Sequence, residues 1–188
     1  ENLTQPELRL PFPDGRLWAY TGGPHPVFEK TGPWGAIDFA PAASLSGCVV
    51  SNDWALAMAD GPVVRSSGGV VIQDLDGDGL EQTGWVLMYL HIDEPGRVME
   101  GTFLKAGDPV GHPSCLGGTS TGTHVHIARK YNGVWITADG SIPFVLDGWQ
   151  VHQGEEAYQG TLTKDDQTII AHQYGSLVSH IYREADEK

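Results

Sequence analysis

Basic residues are scarce in this chain: 11 lysines and arginines stand against 24 aspartates and glutamates, a formal charge of −13. A nucleic-acid binder needs a basic footprint to neutralise phosphates, so that class is excluded. General attraction to an anionic surface is excluded for the same reason, and an acidic polymer would have to be held by specific contacts. Long apolar runs are missing too. None nears the roughly 20 residues that cross a bilayer, so no membrane insertion is expected. The opening Glu1-Asn2-Leu3-Thr4 has neither the basic nor the apolar region of a signal peptide. Such a start suits a mature secreted form, a trimmed ectodomain or a cytosolic protein. There are only two cysteines, Cys48 and Cys115, far outside the C-x-x-C spacing of zinc knuckles and redox motifs. A disulfide in an extracytoplasmic protein is expected, with two free buried thiols as the alternative.

Helical periodicity is also sparse, while glycine (25) and proline (12) are plentiful. Short apolar stretches recur between turn formers. Leu8 to Tyr20 reads as a strand with a loop, Thr21 to Trp34 as a loop, and Ala36 to Ala40 as a strand with Asp38 facing away from Ile37 and Phe39. Pro41 to Asn52 reads as loop. Trp54 to Ala59 and Val63 to Ser66 read as strands joined by the turn signal Asp60-Gly61-Pro62. Val70-Val71-Ile72 and Trp85 to Ile92 form an apolar strand pair, and Phe103 to Val110 is extended but broken at Ala106 to Pro109. His124 to Tyr131 and Val134 to Thr137 flank Asn132-Gly133, the strongest short hairpin signal. Phe144 to Val151, Tyr158 to Thr163 and Thr168 to Ile170 continue the pattern, and only Ser176 to Glu187 reads as a terminal helix. Many short strands without β-α-β alternation predict an all-β, mainly antiparallel folded sheet or sandwich. The 188 residues suit one domain, with a core over about 20–150 and a peripheral hairpin and tail over 151–188.

The most informative stretch is Gly122-Thr123-His124-Val125-His126-Ile127. Side chains of a strand alternate faces, so His124 and His126 share a face while Val125 and Ile127 point behind. Two adjacent imidazoles on a rigid strand suit a metal site. Three further residues fit as partners: His25 in a glycine-proline segment, Asp38 on its strand and His91 at a strand end. His25, Asp38 and one strand histidine make a ligand set suited to Zn²⁺, with a fourth position open to water.

In that order these segments resemble the LytM/lysostaphin-type zinc endopeptidases, and within them the LasA (staphylolysin) branch. The likeness runs from Gly22-Gly23-Pro24-His25 through Ile37-Asp38-Phe39 and Met88-Tyr89-Leu90-His91. It continues through Ala106-Gly107-Asp108-Pro109-Val110-Gly111 to Gly117-Gly118-Thr119-Ser120-Thr121-Gly122-Thr123-His124-Val125-His126. An H-x-H alone is a weak signal; the ordered set is a specific one. The resemblance implies that His25, Asp38 and His126 hold zinc. It implies that His91 and His124 flank the open position, one taking a proton from water and the other hydrogen-bonding the carbonyl oxygen. It also implies peptide bonds of peptidoglycan as substrate, in cross-bridges or stem peptides. No H-E-x-x-H helix is present, so a glutamate base is not expected.

Asp74, Asp76 and Asp78, followed by Gly79, match the opening of a calcium loop, and the two readings are a structural Ca²⁺ beside the catalytic zinc and an ordinary hairpin built from Asp and Gly. The match stops at Trp85, which stands where an EF-hand has its bidentate glutamate, and this loop is not part of the family motif. Trp34 is expected to line the substrate groove, with Ser120 and Thr121 offering hydroxyls to substrate. His112, His152, His172 and His180 carry no motif. The sequence therefore reads as a monomeric, secreted or extracytoplasmic zinc endopeptidase acting on peptidoglycan peptides. The alternatives are a cell-wall binding or regulatory module that lost catalysis and a zinc peptidase of glycine-rich extracellular proteins.

Overall fold

Among the described residues, short strands and one 3-10 turn, Leu177–Ser179, make up the regular structure. The computed structural model describes residues 3–28, 30–42 and 47–185. The strands are β1 (Leu17–Pro26), β2 (Trp34–Pro41), β3 (Ala55–Leu56), β4 (Gly61–Ser67), β5 (Val70–Asp74), β6 (Trp85–Leu90), β7 (Phe103–Leu104) and β8 (Pro109–Gly111). There follow β9 (Val125–Tyr131), β10 (Val134–Trp135), β11 (Val145–Leu146), β12 (Trp149–Gln153), β13 (Gly160–Lys164), β14 (Gln167–Ile170) and β15 (His180–Tyr182). The main sheet runs β15-β1-β2-β9-β6-β5-β4-β7 with β10 on β9; β11 to β14 form a second sheet, and β3 pairs with β8. Every strand pairing is antiparallel. The all-β antiparallel expectation is borne out.

Strand alternation sorts the side chains of the central strands. Ile37 and Phe39 of β2, Leu87 and Tyr89 of β6, and Val125 and Ile127 of β9 turn into the main core. There they meet Leu146, Trp149, Val151 and Leu162 from the second sheet, and Phe12, which stacks on Trp18 at 4.9 Å. Each such side chain contributes about 1.5–3 kcal/mol by leaving water. The opposite face carries a smaller apolar cluster, including Ala36, Met88, Leu90 and Ala128. Asp38 and His126 stand directly opposite each other in the β2–β9 register, on this second face. The Asn132-Gly133 hairpin forms as the sequence predicts, with φ of +46° and +76° and Tyr131 paired to Val134.

Several expectations are corrected. Thr21 to Trp34 is not a loop throughout: β1 continues to Pro26, so His25 lies on a strand, and Trp34 opens β2. Gly22 and Gly23 on this strand permit close approach. A Cβ on Gly22 would fall 2.4 Å from Asp38 Oδ2, and one on Gly23 would fall 2.4 Å from the Gln159 carbonyl. The segment Trp54 to Ala59 is strand only at Ala55–Leu56, and it pairs with β8 rather than turning back at Asp60-Gly61-Pro62 onto β4. The helix expected at Ser176 to Glu187 is replaced by the 3-10 turn and β15, because β1 offers Leu17 to Ala19 as a pairing edge. Residues 186 and 187 of that stretch, and 43–46 of the Pro41 to Asn52 loop, lie outside the described residues. Leu8 to Tyr20 becomes strand only from Leu17.

Candidate metal centre

Three irregularities in the β1–β2 register, between Tyr20 and Gly22, Gly22 and His25, and His25 and Pro26, re-aim the end of β1. Bulges do this near functional sites, and here they bring Gly22 opposite Asp38 and His25 opposite Ala36. The His25 ring thereby reaches the face that carries Asp38 and His126. All three residues are buried.

The ring nitrogens are fixed by carbonyls that can only accept a hydrogen bond. His25 Nδ1 donates to Gly23 O at 2.7 Å, and His126 Nε2 donates to Val27 O at 3.0 Å. Each ring therefore turns its other nitrogen, with its lone pair, inward. His25 Nε2 and His126 Nδ1 stand 3.0 Å apart. Asp38 Oδ1 lies 3.0 Å from His126 Nδ1 and 3.4 Å from His25 Nε2. A tetrahedral zinc with bonds of 2.0–2.1 Å would place its ligand atoms about 3.3 Å apart. Three electron-pair donors at such separations repel one another and are reconciled by a cation, so the residues fit the metal.

Charge follows the same logic. Burial works against ionisation of Asp38, but the His25 and His124 rings outweigh it and hold its carboxyl well below the usual range. Burial lowers His126 despite Asp38, which keeps it in the neutral, ligating form. Burial also opposes a proton on His25, yet the Asp38 charge prevails and raises that ring.

His91 and His124 complete the cluster. Their ring centroids are 4.5 Å apart, and His91 stands 6.1 Å from His126. His124 Nδ1 donates to Gly122 O at 2.8 Å and its Nε2 lies 3.6 Å from Asp38 Oδ1. His91 Nδ1 donates to Leu116 O at 3.0 Å. Burial first, and then the charge of His124, push His91 down to about 4, so it is neutral near pH 7. His91 has φ +69°, a left-handed conformation that costs a non-glycine residue about 1–3 kcal/mol.

Tyr158 was not legible as part of the site. Its ring stacks on His25 at 4.1 Å and 19°, and its backbone bonds both Gly23 and Pro24. It arrives from the second sheet's β12–β13 connection, and no local pattern marks it. Of the residues expected to touch substrate, Ser120 lies beside the cluster, its Oγ 3.4 Å from His124 Nδ1. Half-buried Trp34 pairs with Pro26, Ser120 Oγ donates to Gly122 O at 2.7 Å, and Thr121 is exposed. Cys48 and Cys115 form a disulfide across 67 residues.

Asp74, Asp76 and Asp78 also converge, with one carboxylate oxygen of each within 4.8 Å of the others. Their oxygens are occupied differently. Asp74 accepts from the backbone of Asp76 (3.1 Å), Gly77 (3.3 Å) and Gly79 (2.8 Å), and Asp78 accepts from Leu80 N (2.8 Å) and Thr83. These bonds account for the loop's shape, and calcium in it is carried by the sequence pattern alone.

No family model matches the chain. It is 26% identical over 182 residues to the beta-lytic metalloendopeptidase of Lysobacter enzymogenes, covering 92% of this chain and 95% of that protein. It is 26% identical over 188 residues to the beta-lytic metalloendopeptidase of Achromobacter lyticus, covering 92% of this chain but 46% of that protein. In fold it is similar to the deep-sea metalloprotease pseudoalterin, with a TM-score of 0.76 at 20% identity over 95% of this chain and 99% of that one. Two metalloendopeptidases similar across nearly the whole chain, and an antiparallel fold shared with a metalloprotease, agree with the resemblance to the LytM/lysostaphin-type metallo-endopeptidases that the ordered histidine and aspartate motifs carry.

Proposed function

We propose that the protein is a zinc-dependent endopeptidase that hydrolyses peptide bonds of bacterial peptidoglycan outside the cytoplasm. The observation that carries this is the convergence of His25 Nε2, Asp38 Oδ1 and His126 Nδ1 beside a second pair of histidines. Zinc, when bound, supplies a Lewis acid and brings the pKa of water to about 7. The protein supplies the rest. Gly23 O and Val27 O orient two of the ligand rings, and Asp38 balances charge.

His91 and His124 both spend Nδ1 on a backbone carbonyl and keep Nε2 for the reaction. A neutral imidazole so arranged accepts a proton from the attacking water. That imidazole afterwards gives the proton to the leaving amine, while its partner, in the protonated form, hydrogen-bonds the carbonyl oxygen as that oxygen gains charge. The pair divides the base and oxygen-stabilising roles. Peptidoglycan as substrate follows from the family resemblance, and location outside the cytoplasm is supported by the Cys48–Cys115 bridge. Among the described residues no helix is long and apolar enough to cross a membrane.

The test is mass spectrometry of fragments released from two purified peptidoglycans, one glycine-bridged and one directly cross-linked, with and without a zinc chelator. Chelator-sensitive peptide fragments are expected, and their masses name the bond. Intact sacculi in both, with zinc shown to be bound, would move the substrate to extracellular proteins or leave a wall-binding module.

A further inference from the structure

His91 does not sit where its strand would put it. In β6, Leu87 and Tyr89 point into the main core, and a regular continuation would send the His91 ring the same way, opposite to His126. The left-handed turn at φ +69° brings it instead beside His124. Something must hold that conformation, and the structure shows one residue doing so twice. The carbonyl of His91 accepts from Ser114 N at 2.7 Å and from Ser114 Oγ at 3.0 Å.

The buried Ser114 hydroxyl also accepts from Leu116 N at 3.0 Å, and Leu116 O receives the His91 Nδ1 proton at 3.0 Å. Ring and backbone of His91 are thus closed into one hydrogen-bonded circuit. The same residue reaches the other histidine, since Ser114 O accepts from His124 N at 3.4 Å across an isolated bridge. The next residue, Cys115, is bonded to Cys48. Around Cys48, Gly47 O accepts from Thr123 N at 3.1 Å, and Val49 N donates to Thr123 Oγ1 at 3.0 Å. Ser51 N donates to Pro113 O at 2.9 Å. The disulfide therefore ties the turn behind His91 to the loop that grips the residue before His124.

We propose that Ser114 is the positioning residue of the His91–His124 pair and that the Cys48–Cys115 bridge is its backing. This rests on the catalytic reading of that pair. The metal ligands are oriented independently, by Gly23 O, Val27 O and the β1–β2–β9 pairing. The brace consequently sets turnover without setting metal affinity.

The experiment compares four full-length proteins with the wild type: Ser114→Ala, Ser114→Thr, the double variant Cys48→Ser with Cys115→Ser, and His91→Ala. Zinc content, KM and kcat are measured on peptidoglycan of the type that the wild type cleaves. A displacement of about 1 Å costs about 10²-fold, so Ser114→Ala should lower kcat by about ten- to a hundredfold with zinc retained and KM within about twofold. Ser114→Thr, which keeps the hydroxyl, should recover most of that loss. The double cysteine variant should fall between them with zinc retained. Wild-type kcat in both Ser114→Ala and the cysteine variant overturns the proposal, as does joint loss of zinc and kcat in both. The His91→Ala protein separates the failures. If it is inactive while Ser114→Ala is normal, only the brace is wrong; if it turns over normally, the catalytic pair itself is wrong.

Discussion

Among the described residues two clusters of side chains could hold a metal ion, and they differ in what their remaining electron pairs do. At the end of β1, β2 and β9, backbone carbonyls take the outer protons of His25 and His126, so the inner nitrogens converge with nothing to accept. In the loop after β5, three backbone N–H groups bond the Asp74 carboxylate and take up most of its accepting capacity. The titration behaviour diverges accordingly. Asp38 is held well below the usual range by the neighbouring rings despite burial, while Asp76 is raised, first through its hydrogen bond with Asp74. Convergence of ligand atoms is therefore a weak criterion for a metal centre. The stronger one is that the protein has used up the donors that would otherwise quench them.

The largest effect expected is at a ligand. His126→Ala should lose metal and activity together, by more than the ~100-fold that removing an outer partner of a ligand costs. Elemental analysis and turnover on one preparation check it. Retained zinc would remove His126 from the ligand set. His91→Ala should keep its metal but lose about 10²–10⁴ in turnover, the range of a general acid–base group.

Acid should release the metal next. His25 is raised by Asp38, so on lowering the pH it takes a proton earlier than an ordinary histidine and competes with the metal. Metal occupancy followed against pH should fall on acidification, and His25→Ala should abolish the site rather than shift the curve. The smallest effect belongs to the other cluster. Asp74→Ala removes the charged acceptor of the Asp76, Gly77 and Gly79 N–H groups and should cost about 1–3 kcal/mol in a denaturant melt with little change in turnover. Added calcium should leave the melting temperature of the wild type unchanged; a calcium-dependent rise would restore the two clusters to equal standing.

Period-two alternation made much of this legible. It placed His124 with His126, set Val125 and Ile127 in the core, and turned Asp38 away from Ile37 and Phe39. The hairpin at Asn132-Gly133 was legible because both residues tolerate positive φ. What stayed hidden depends on contacts between distant segments. Gly22 and Gly23 look like turn formers, and only the Asp38 carboxylate and the Gln159 backbone reveal them as close-approach sites. The parity of β6 says that His91 faces the core; Ser114, a long way down the chain, reverses that. Tyr158 reaches His25 from the second sheet, and residues after Ser176 form a strand because the edge of β1 is there to receive them.

The most direct test of the account is anomalous diffraction at the zinc edge from crystals grown with zinc and calcium together. The account predicts one strong zinc peak within bonding distance of His25 Nε2, Asp38 Oδ1 and His126 Nδ1, with His91 and His124 beside it but outside that distance, and none between Asp74 and Asp78. A zinc peak bonded to His91, or none at the three ligands, would contradict it.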